Sequence, residues 1–243
     1  MSGAGVSAVR GFPDYGLVTM SEMVDASATV ARSVSVPVLA DADTGYGNEL
    51  NVTRTVRAFE AAGVAGIHLE DQVSPKRCGH LDGKQVVARD RFVSVVRAAV
   101  EARRSTDFVI VVRTDAVAVA GLDDAVDRVN SALDAGADVA FVEALASLDQ
   151  VAAVPGRVRG PCLLNVVPGG KTPLTDLARA EELGYRIAIC PGLLLGATLA
   201  AGEMVLQELA DTRRHPGSGQ GGPGDLFRRL GAAEWDEIRE RFP

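Results

Sequence analysis

Apolar residues along the chain occur in short runs that alternate with longer stretches of mixed apolar and polar positions. In the longer stretches the apolar residues recur every three or four positions, which is typical of a helix with one buried face. Gly63 and Gly136 follow two of these stretches, where helix caps are common. The short runs are rich in small and β-branched residues that suit buried parallel strands. We therefore predict strands over 36–41, 64–71, 107–115, 137–144, 161–167 and 185–190, and helices over 51–63, 89–104 and 122–137.

Polar residues stand at the carboxyl ends of five of these predicted strands. They are Asp41, Asp43, Glu70, Asp71, Arg113, Asp115, Glu143 and Asn165. A barrel brings all its strand ends to one mouth, whereas an open doubly wound sheet binds ligands mainly at a single switch point. The pattern therefore favours an α/β fold of the (β/α)8 TIM-barrel type. Six strands are visible where such a barrel has eight, so we expect a chain that starts late and lacks the first strand–helix unit.

The last part of the chain differs in composition from the predicted barrel domain over residues 1–214. Residues 215–224 are rich in Gly and Pro, which is typical of a flexible linker. Residues 225–243 predict one amphipathic helical stretch, whose apolar face needs a surface to cover it, either on its own barrel or on a neighbouring subunit. The apolar set of this stretch is Leu226, Phe227, Leu230, Trp235, Ile238 and Phe242.

Composition narrows the classes of function. The 243 residues carry a formal net charge of -7, which gives no electrostatic support for a nucleic-acid partner. The three cysteines, at positions 78, 162 and 190, form no disulfide framework and favour a reducing compartment. No run of about 18 uncharged apolar residues and no signal peptide is visible. We expect a cytoplasmic protein with no membrane association.

The segment DADTGYGN over 41–48 is a candidate metal site. Two acids at Asp41 and Asp43 leave the end of a strand together, and glycines then let the backbone turn close to a ligand. Few carboxylates with room for water suit Mg²⁺. A loop rich in Asp and Gly is equally common as a plain turn, so spacing alone leaves the two interpretations balanced.

A second candidate is the loop that contains Lys76, Arg77, Cys78, Gly79 and His80. A thiol flanked by basic residues is expected to have a lowered pKa, which suits proton transfer or nucleophilic attack. The alternatives are a buried structural cysteine, which so many charges disfavour, and a zinc site, which lacks a second ligand at the required spacing. The residues therefore favour a functional loop.

Two more polar residues lie in apolar strands. Arg113 ends a strand as a lone cation, which suits a substrate carboxylate or phosphonate. An ion pair with Glu143 or Asp115 is an equally good interpretation. His68 precedes Glu70 in its strand, and we expect a structural histidine with satisfied hydrogen bonds there.

Taken together, the motifs resemble those of the isocitrate lyase/phosphoenolpyruvate mutase superfamily. The match runs from residue 1 to about residue 210 and is nearest to the carboxyphosphonoenolpyruvate mutase, dimethylmalate lyase and methylisocitrate lyase branches. The segments that carry it, in the order typical of the family, are SGAG, PDYG, DADTGYGN, HLEDQVSPKRCGH, VRTDA, FVEA and NVVPGGKTP.

This resemblance implies roles for individual residues. It implies Mg²⁺, with Mn²⁺ as an alternative, at Asp41, Asp43 and Glu70, with Asp14 in the outer sphere. It implies that Lys76, Arg77, Cys78 and His80 form the catalytic loop, in which Cys78 protonates the departing carbanion. The substrate-binding positions that it implies are Ser2, Gly3, Ala4, Gly79, Arg113, Glu143 and Asn165.

The activity that the resemblance implies is retro-aldol cleavage of a small 2-hydroxy di- or tricarboxylate, such as a substituted malate or methylisocitrate. A phosphonomutase that moves phosphorus on a pyruvyl skeleton is the alternative, and an inactive truncated barrel is a third hypothesis. Gly196 replaces a carboxylate-binding arginine of methylisocitrate lyases, so the reaction class is better defined than the substrate. The resemblance also implies a homotetramer made of two dimers that exchange their C-terminal helices.

Overall fold

The structure of the chain is a computed structural model that describes residues 1–173, 176–217 and 221–242. The helices are α1 (Gly3–Val9), α2 (Met20–Ser33), α3 (Glu49–Ala61), α4 (Arg89–Ala102), α5 (Val117–Ala120), α6 (Leu122–Asp134), α7 (Leu148–Arg157), α8 (Leu177–Glu182), α9 (Leu193–Thr212), α10 (Pro223–Arg229) and α11 (Ala232–Arg241). The strands are β1 (Leu39–Asp41), β2 (Gly66–Glu70), β3 (Val109–Thr114), β4 (Val139–Val142), β5 (Cys162–Asn165) and β6 (Tyr185–Ile189). By their contacts the residues divide into two units, Met1–Leu195 and Gly196–Pro243.

The first unit is an α/β half-barrel. Among the described residues, six strands form one curled parallel sheet in the order β1-β2-β3-β4-β5-β6, and helices connect them. All six strands predicted from the apolar runs are present, and the three predicted helices correspond to α3, α4 and α6. The sequence prediction is therefore confirmed for a parallel α/β sheet. The closed eight-stranded barrel stays a prediction.

The register of the strands brings polar residues side by side at one edge of the sheet. Asp41 of β1 is paired with His68 of β2, and Glu70 of β2 is paired with Arg113 of β3. Parallel strands all end at the same edge, so these side chains meet although they are far apart in sequence. The sheet therefore assembles one polar edge from successive strands.

Helix α3 shows how the sequence positions a helix on this sheet. The side chain of Asn48 caps its first turn by accepting hydrogen bonds from two backbone N–H groups. In return, the side-chain oxygen of Asn51 accepts a hydrogen bond from the backbone N–H of Asn48. Val52, Val56 and Phe59 follow at spacings of four and three residues and are completely buried in the core. The helix thus begins at a polar cap and covers the sheet with one apolar face.

The second unit contains most of α9 together with α10 and α11, and its apolar side chains are largely exposed. With 20 residues and a mean hydropathy of 1.3, α9 is long and apolar enough to cross a membrane. Glu203, Glu208 and Asp211 interrupt this helix, so it does not contradict the expectation that no run of about 18 uncharged apolar residues occurs. One such helix is only a weak indication of a membrane span, since helices that pack against protein pass the same test.

The C-terminal stretch differs from the single helix predicted over 225–243. It forms two helices, α10 and α11, and Gly231 between them has a φ of 83° in the left-handed region. A residue with that backbone conformation ends an α-helix, so the amphipathic stretch is broken there. Residues 218–220 of the predicted linker lie outside the described residues, and α10 begins at Pro223, inside the predicted linker range.

The burial of Phe59 generates a test of the core. We expect Phe59→Ala to lower the free energy of unfolding by about 3–5 kcal/mol, because it removes a large side chain with no exposed surface and leaves a cavity. Urea unfolding followed by circular dichroism measures the change. Leu50→Ala is the matched control, since Leu50 lies on the same helix with 79% of its surface exposed. Equal losses for the two variants would contradict this description of the core.

Candidate active site

The polar edge of the sheet opens into a cavity of about 470 Å³. Most of the residues singled out from the sequence line it: Ser2, Ala4, Asp14, Asp41, Cys78, Gly79, His80, Arg113, Glu143 and Asn165. The remaining candidates, which are Gly3, Asp43, Glu70, Lys76 and Arg77, are not part of its lining. The structure therefore brings ten of the candidate residues to the wall of one cavity and leaves five outside its lining.

Asp41 is the best-anchored acid of the site. One of its carboxylate oxygens accepts the backbone N–H of Gly3 at 3.0 Å, and the other accepts the N–H of Asp43 at 3.0 Å. A Cβ on Gly3 would lie 2.7 Å from the Asp41 carboxylate, so only glycine allows this approach. Burial alone would raise the pKa of Asp41, but the adjoining His68 ring and the Lys76 ammonium outweigh it and lower that pKa.

Lys76 connects two further acids, Asp14 in the cavity lining and Asp43 outside it. Its Nζ lies 2.6 Å from Asp14 Oδ1 and 2.9 Å from Asp43 Oδ1. Burial, followed by the charge of Asp41, raises the pKa of Asp43 to about 7, and Lys76 offsets part of this increase. The backbone of Asp43 has a φ of 46°, which turns the chain out of the strand direction. The structure therefore pairs Lys76 with predicted metal ligands, while its charge still favours the thiolate form of Cys78 to a small extent.

Arg113 lies between the ends of three strands. It makes two hydrogen bonds to the carboxylate of Asp115, at 2.9 and 3.2 Å. Its guanidinium is also 3.2 Å from Glu70 and 3.8 Å from Glu143. Among the described residues neither oxygen of Glu70 has a hydrogen-bond partner, and burial raises the pKa of this carboxyl well above its usual range. In this structure Arg113 forms the ion pair that was the alternative to substrate binding, while its side chain still borders the cavity.

Glu143, Asn165 and His80 form a second polar group on the cavity wall. The Asn165 amide donates to Glu143 at 2.9 Å, and His80 Nε2 lies 3.6 Å from the other oxygen of Glu143. The backbone N–H of Lys171 donates to His80 Nδ1 at 3.0 Å. Because Nδ1 accepts this bond, a neutral His80 ring carries its proton on Nε2 and directs it towards Glu143. Burial lowers the pKa of His80 below its ordinary value, which favours that neutral ring.

Cys78 borders the cavity, but its environment differs from the prediction. Burial raises the pKa of the Cys78 thiol, and the backbone of His80 offsets only part of this effect. The expected lowering by basic neighbours is wrong because Lys76 is engaged by acids, while Arg77 is exposed with its guanidinium 5.9 Å from the ring centre of Tyr15. The thiol therefore stays protonated at neutral pH and is better suited to donate a proton than to attack as a thiolate.

The acids of the site can hold a hard divalent cation. No group of three or more His, Cys, Asp or Glu side chains in metal-binding geometry occurs within 1–173, 176–217 and 221–242. Mg²⁺ needs fewer, because it is commonly held by one or two carboxylates and several waters. Neither oxygen of Glu70 has a hydrogen-bond partner among the described residues, and burial together with the charge of Asp41 raises the pKa of Asp43, so a bound cation would favour the charged form of both carboxyls. The residues present therefore fit Mg²⁺.

Sequence reasoning missed several residues that shape the site. Lys84 is buried with Asp115, and the backbone of Lys171 fixes His80. His68, expected to be a satisfied structural residue, lines the cavity 3.6 Å from Asp41, and its Nδ1 has no hydrogen-bond partner within the described chain. Side chains alternate between the two faces of β2, so His68 lies on the same face as Glu70, and this pattern was the available signal for its place in the site. A lysine in a loop normally lies in solvent, so nothing local distinguished Lys84.

Comparison with known proteins places this site in a family. Residues 1–210 match the phosphoenolpyruvate phosphomutase family. The chain is 46% identical over 212 residues to a probable 2-methylisocitrate lyase of Corynebacterium glutamicum, which covers 87% of this chain and 69% of that protein. It is also 46% identical over 192 residues to 2,3-dimethylmalate lyase of Eubacterium barkeri, which covers 79% and 66% of the two chains.

Solved structures agree with the sequence relatives. A crystal structure of 2,3-dimethylmalate lyase has a TM-score of 0.94 at 40% identity and covers 99% of this chain and 82% of its own. Oxaloacetate acetylhydrolase with the inhibitor 3,3-difluorooxalacetate has a TM-score of 0.94 at 38% identity, over 99% and 83% of the chains. Phosphonopyruvate hydrolase in complex with oxalate and Mg²⁺ has a TM-score of 0.88 at 28% identity, over 99% and 85%. The chain therefore belongs to the phosphoenolpyruvate phosphomutase family and is an enzyme of the isocitrate lyase/phosphoenolpyruvate mutase superfamily.

Proposed function

We propose that the protein is a Mg²⁺-dependent carbon–carbon lyase that cleaves a small 2-hydroxy di- or tricarboxylate, such as a substituted malate or methylisocitrate. The observation that carries this proposal is the position of Cys78 at a cavity bordered by strand-end acids, where burial raises the pKa of its thiol. Relatives named as 2-methylisocitrate lyase and 2,3-dimethylmalate lyase support the reaction class. A cytoplasmic location is part of the same proposal.

Asp41, Asp43 and Glu70, with Asp14 farther out, are the residues that would hold the metal. Their support is the lack of hydrogen-bond partners for Glu70 among the described residues, the raised pKa of Asp43 beside Asp41, and the Mg²⁺ complex of the related phosphonopyruvate hydrolase. Mn²⁺ would fit the same oxygen ligands. When bound, the ion would stabilise the negative charge on the 2-oxygen of the substrate once its hydroxyl group has lost the proton.

Residues on the cavity wall would bind and orient the substrate. Ser2 and Ala4 line the cavity at the start of α1, and Gly3 between them donates its N–H to Asp41, so this segment is placed to hold the 2-oxo acid part of the ligand. Arg113 borders the cavity from the opposite strand. Because Arg113 is already paired with acids, its contribution would be to orient a carboxylate and not to neutralise it alone.

Cys78 would act as the general acid. A carboxylate of the site takes up the proton of the substrate's 2-hydroxyl group, and cleavage of the carbon–carbon bond turns that oxygen into the carbonyl of the 2-oxo acid. The electron pair of the broken bond stays on the leaving carbon, and the Cys78 thiol donates its proton to that carbon. The raised pKa keeps the proton on sulfur until it is needed. The thiolate that results is then partly stabilised by the charges of Arg113 and Lys76. The side chains of His80 and Glu143, whose Nε2 and carboxylate oxygen lie 3.6 Å apart, would position the substrate beside the thiol.

The assembly belongs to this proposal as well. We propose that the six described strands follow the plan of a (β/α)8 barrel and that the C-terminal helices are exchanged between subunits of a tetramer. The support is the exposed apolar surface of the second unit, where Trp235 and Leu230 are each 70% exposed and Phe242 is 76% exposed. Side chains of this size in such number are normally covered by a partner.

The metal assignment is tested with Asp43→Asn, which keeps a residue type that tolerates the positive φ of this position. We expect loss of Mg²⁺-dependent turnover and loss of the increase in melting temperature that MgCl₂ gives the unchanged enzyme, because a cation that binds the folded state stabilises it. Product release from 2-methylisocitrate and 2,3-dimethylmalate, and thermal unfolding with and without MgCl₂, are the measurements. Asp25→Asn, at an exposed acid of α2, is the control. A variant that retains both responses would show that Asp43 is no ligand.

The role of Cys78 is tested with Cys78→Ser. Turnover should fall by roughly two to four orders of magnitude while KM changes little, because a hydroxyl is a much weaker acid than a thiol. Steady-state kinetics with the same two substrates measure this. Cys162→Ser is the control, since Cys162 lies in β5 and already bonds the carbonyl of Gly160, a contact that a hydroxyl keeps. A fully active Cys78→Ser enzyme would show that Cys78 is not the general acid.

Helix exchange is tested by deleting residues 215–243. We expect the deleted protein to have a lower oligomeric mass, because α10 and α11 are lost together with their exposed apolar side chains. Light scattering after size-exclusion chromatography measures the mass. Glu237→Gln, a change of an exposed polar residue in α11, is the control for altering this segment. An unchanged mass after the deletion would exclude these helices as the contact that holds the assembly together.

A further inference from the structure

We propose that Lys84 is a positioning residue that holds Cys78 at the cavity. It does so by fastening the loop over 76–84, called the cysteine loop below, to the end of β3. This inference deepens the proposed function and rests on it, since it assigns the group that holds the general acid in place.

Lys84 is buried although it lies in a loop. Its side chain is 1% exposed, and its Nζ donates to the carbonyl oxygen of Gly79 at 2.5 Å and to Asp115 Oδ1 at 2.8 Å. A buried ammonium group is stable only when acceptors replace its water, and these two acceptors lie on different elements. One belongs to the cysteine loop and the other to the sheet edge, so Lys84 joins the two.

Asp115 is a fixed point for this connection. Its carboxylate accepts two hydrogen bonds from Arg113, and its backbone N–H donates to Asp71 Oδ1 at 2.9 Å. Asp71 in turn accepts from Thr114 at 2.6 Å. Contacts with the sheet edge therefore hold Asp115 in place independently of Lys84. Lys84 is the side chain that ties the cysteine loop to it.

Gly79 shows how closely the loop is seated. A Cβ at this residue would lie 2.4 Å from Arg113 Nη2 and 2.6 Å from Glu143 Cγ. The loop backbone therefore lies directly against side chains of β3 and of the residue that follows β4. Cys78 and His80 flank Gly79 and both border the cavity, so the close packing of Gly79 fixes the position of both residues.

A second explanation for Lys84 is that it only balances buried negative charge. On that explanation its removal would lower the stability of the enzyme but would not expose Cys78. The reactivity of the Cys78 thiol separates the two explanations, because it reports the seating of the loop independently of catalysis.

The test is Lys84→Met in the full chain, which replaces the ammonium by an apolar group of similar length. We expect alkylation of Cys78 by iodoacetamide to be at least about fivefold faster, because an unseated loop exposes the thiol. Turnover should fall by about 100-fold with KM within about threefold, since displacement of a reacting group by about 1 Å has an effect of this size. Mass spectrometry of the Cys78 peptide gives the alkylation rate, with buried Cys162 as an internal reference.

Lys171→Met is the matched control. The Lys171 ammonium pairs with Asp82 of the same loop at 2.5 Å, but Asp82 is 94% exposed, so this pair lies in solvent. An exposed pair contributes little to holding a loop. Alkylation of Cys78 in this variant should stay within about twofold of the unchanged enzyme.

Gly79→Ala provides a second, independent variant. Its added methyl group would collide with Arg113 and lift the loop while Lys84 stays in place, so it should also accelerate alkylation. Unchanged alkylation in folded Lys84→Met would overturn the proposal, and if that variant does not fold, Lys84→Arg, which keeps the positive charge but not the fit to both acceptors, decides by the same measurement. Faster alkylation with unchanged turnover would support the seating role and contradict the acid role of Cys78 in the proposed function.

Discussion

The ion pair between Arg113 and Asp115 is the contact on which the rest of the site depends. Both side chains are buried, and two hydrogen bonds at 2.9 and 3.2 Å join them. Removing one partner of such a pair costs about 3–5 kcal/mol, because the other charge is left without compensation. Glu70 and Glu143 approach the same guanidinium, and Lys84 binds the same carboxylate. The strand ends and the cysteine loop are therefore held by one network.

This network explains why the site keeps groups in different protonation states close together. Burial favours the neutral form of every acid, whereas each cation favours the charged form of its neighbour. Asp41 is surrounded by positive groups and has a lowered pKa, while Asp43, beside Asp41, has a pKa raised to about 7. At Cys78 the effect of burial on the pKa exceeds that of the neighbouring charges, so the thiol keeps its proton. One crowded pocket thus contains both a charged metal-ligand candidate and a neutral acid candidate.

The fold was more predictable than the chemistry of the site. Strand β3 could be recognised because VIVVRT is a local apolar run, and α3 because Val52, Val56 and Phe59 repeat at helical spacing. The break at Gly231 was missed because a glycine is also tolerated inside a helical pattern. The lowered pKa expected for Cys78 was wrong because neighbours in sequence are not neighbours in space: Lys76 is turned towards two acids.

The sequence by itself determined the parallel α/β sheet, the strand ends on which polar residues occur, and the family, because these depend on local periodicity and on the order of motifs. The tertiary structure decided which charges meet. Register pairs Glu70 with Arg113, and the fold brings Lys84 to Asp115 and Lys171 to His80. The energy of a charged group depends on burial and on partners distant in sequence. For that reason the protonation of Cys78 and the seat of its loop could be read only from the folded chain.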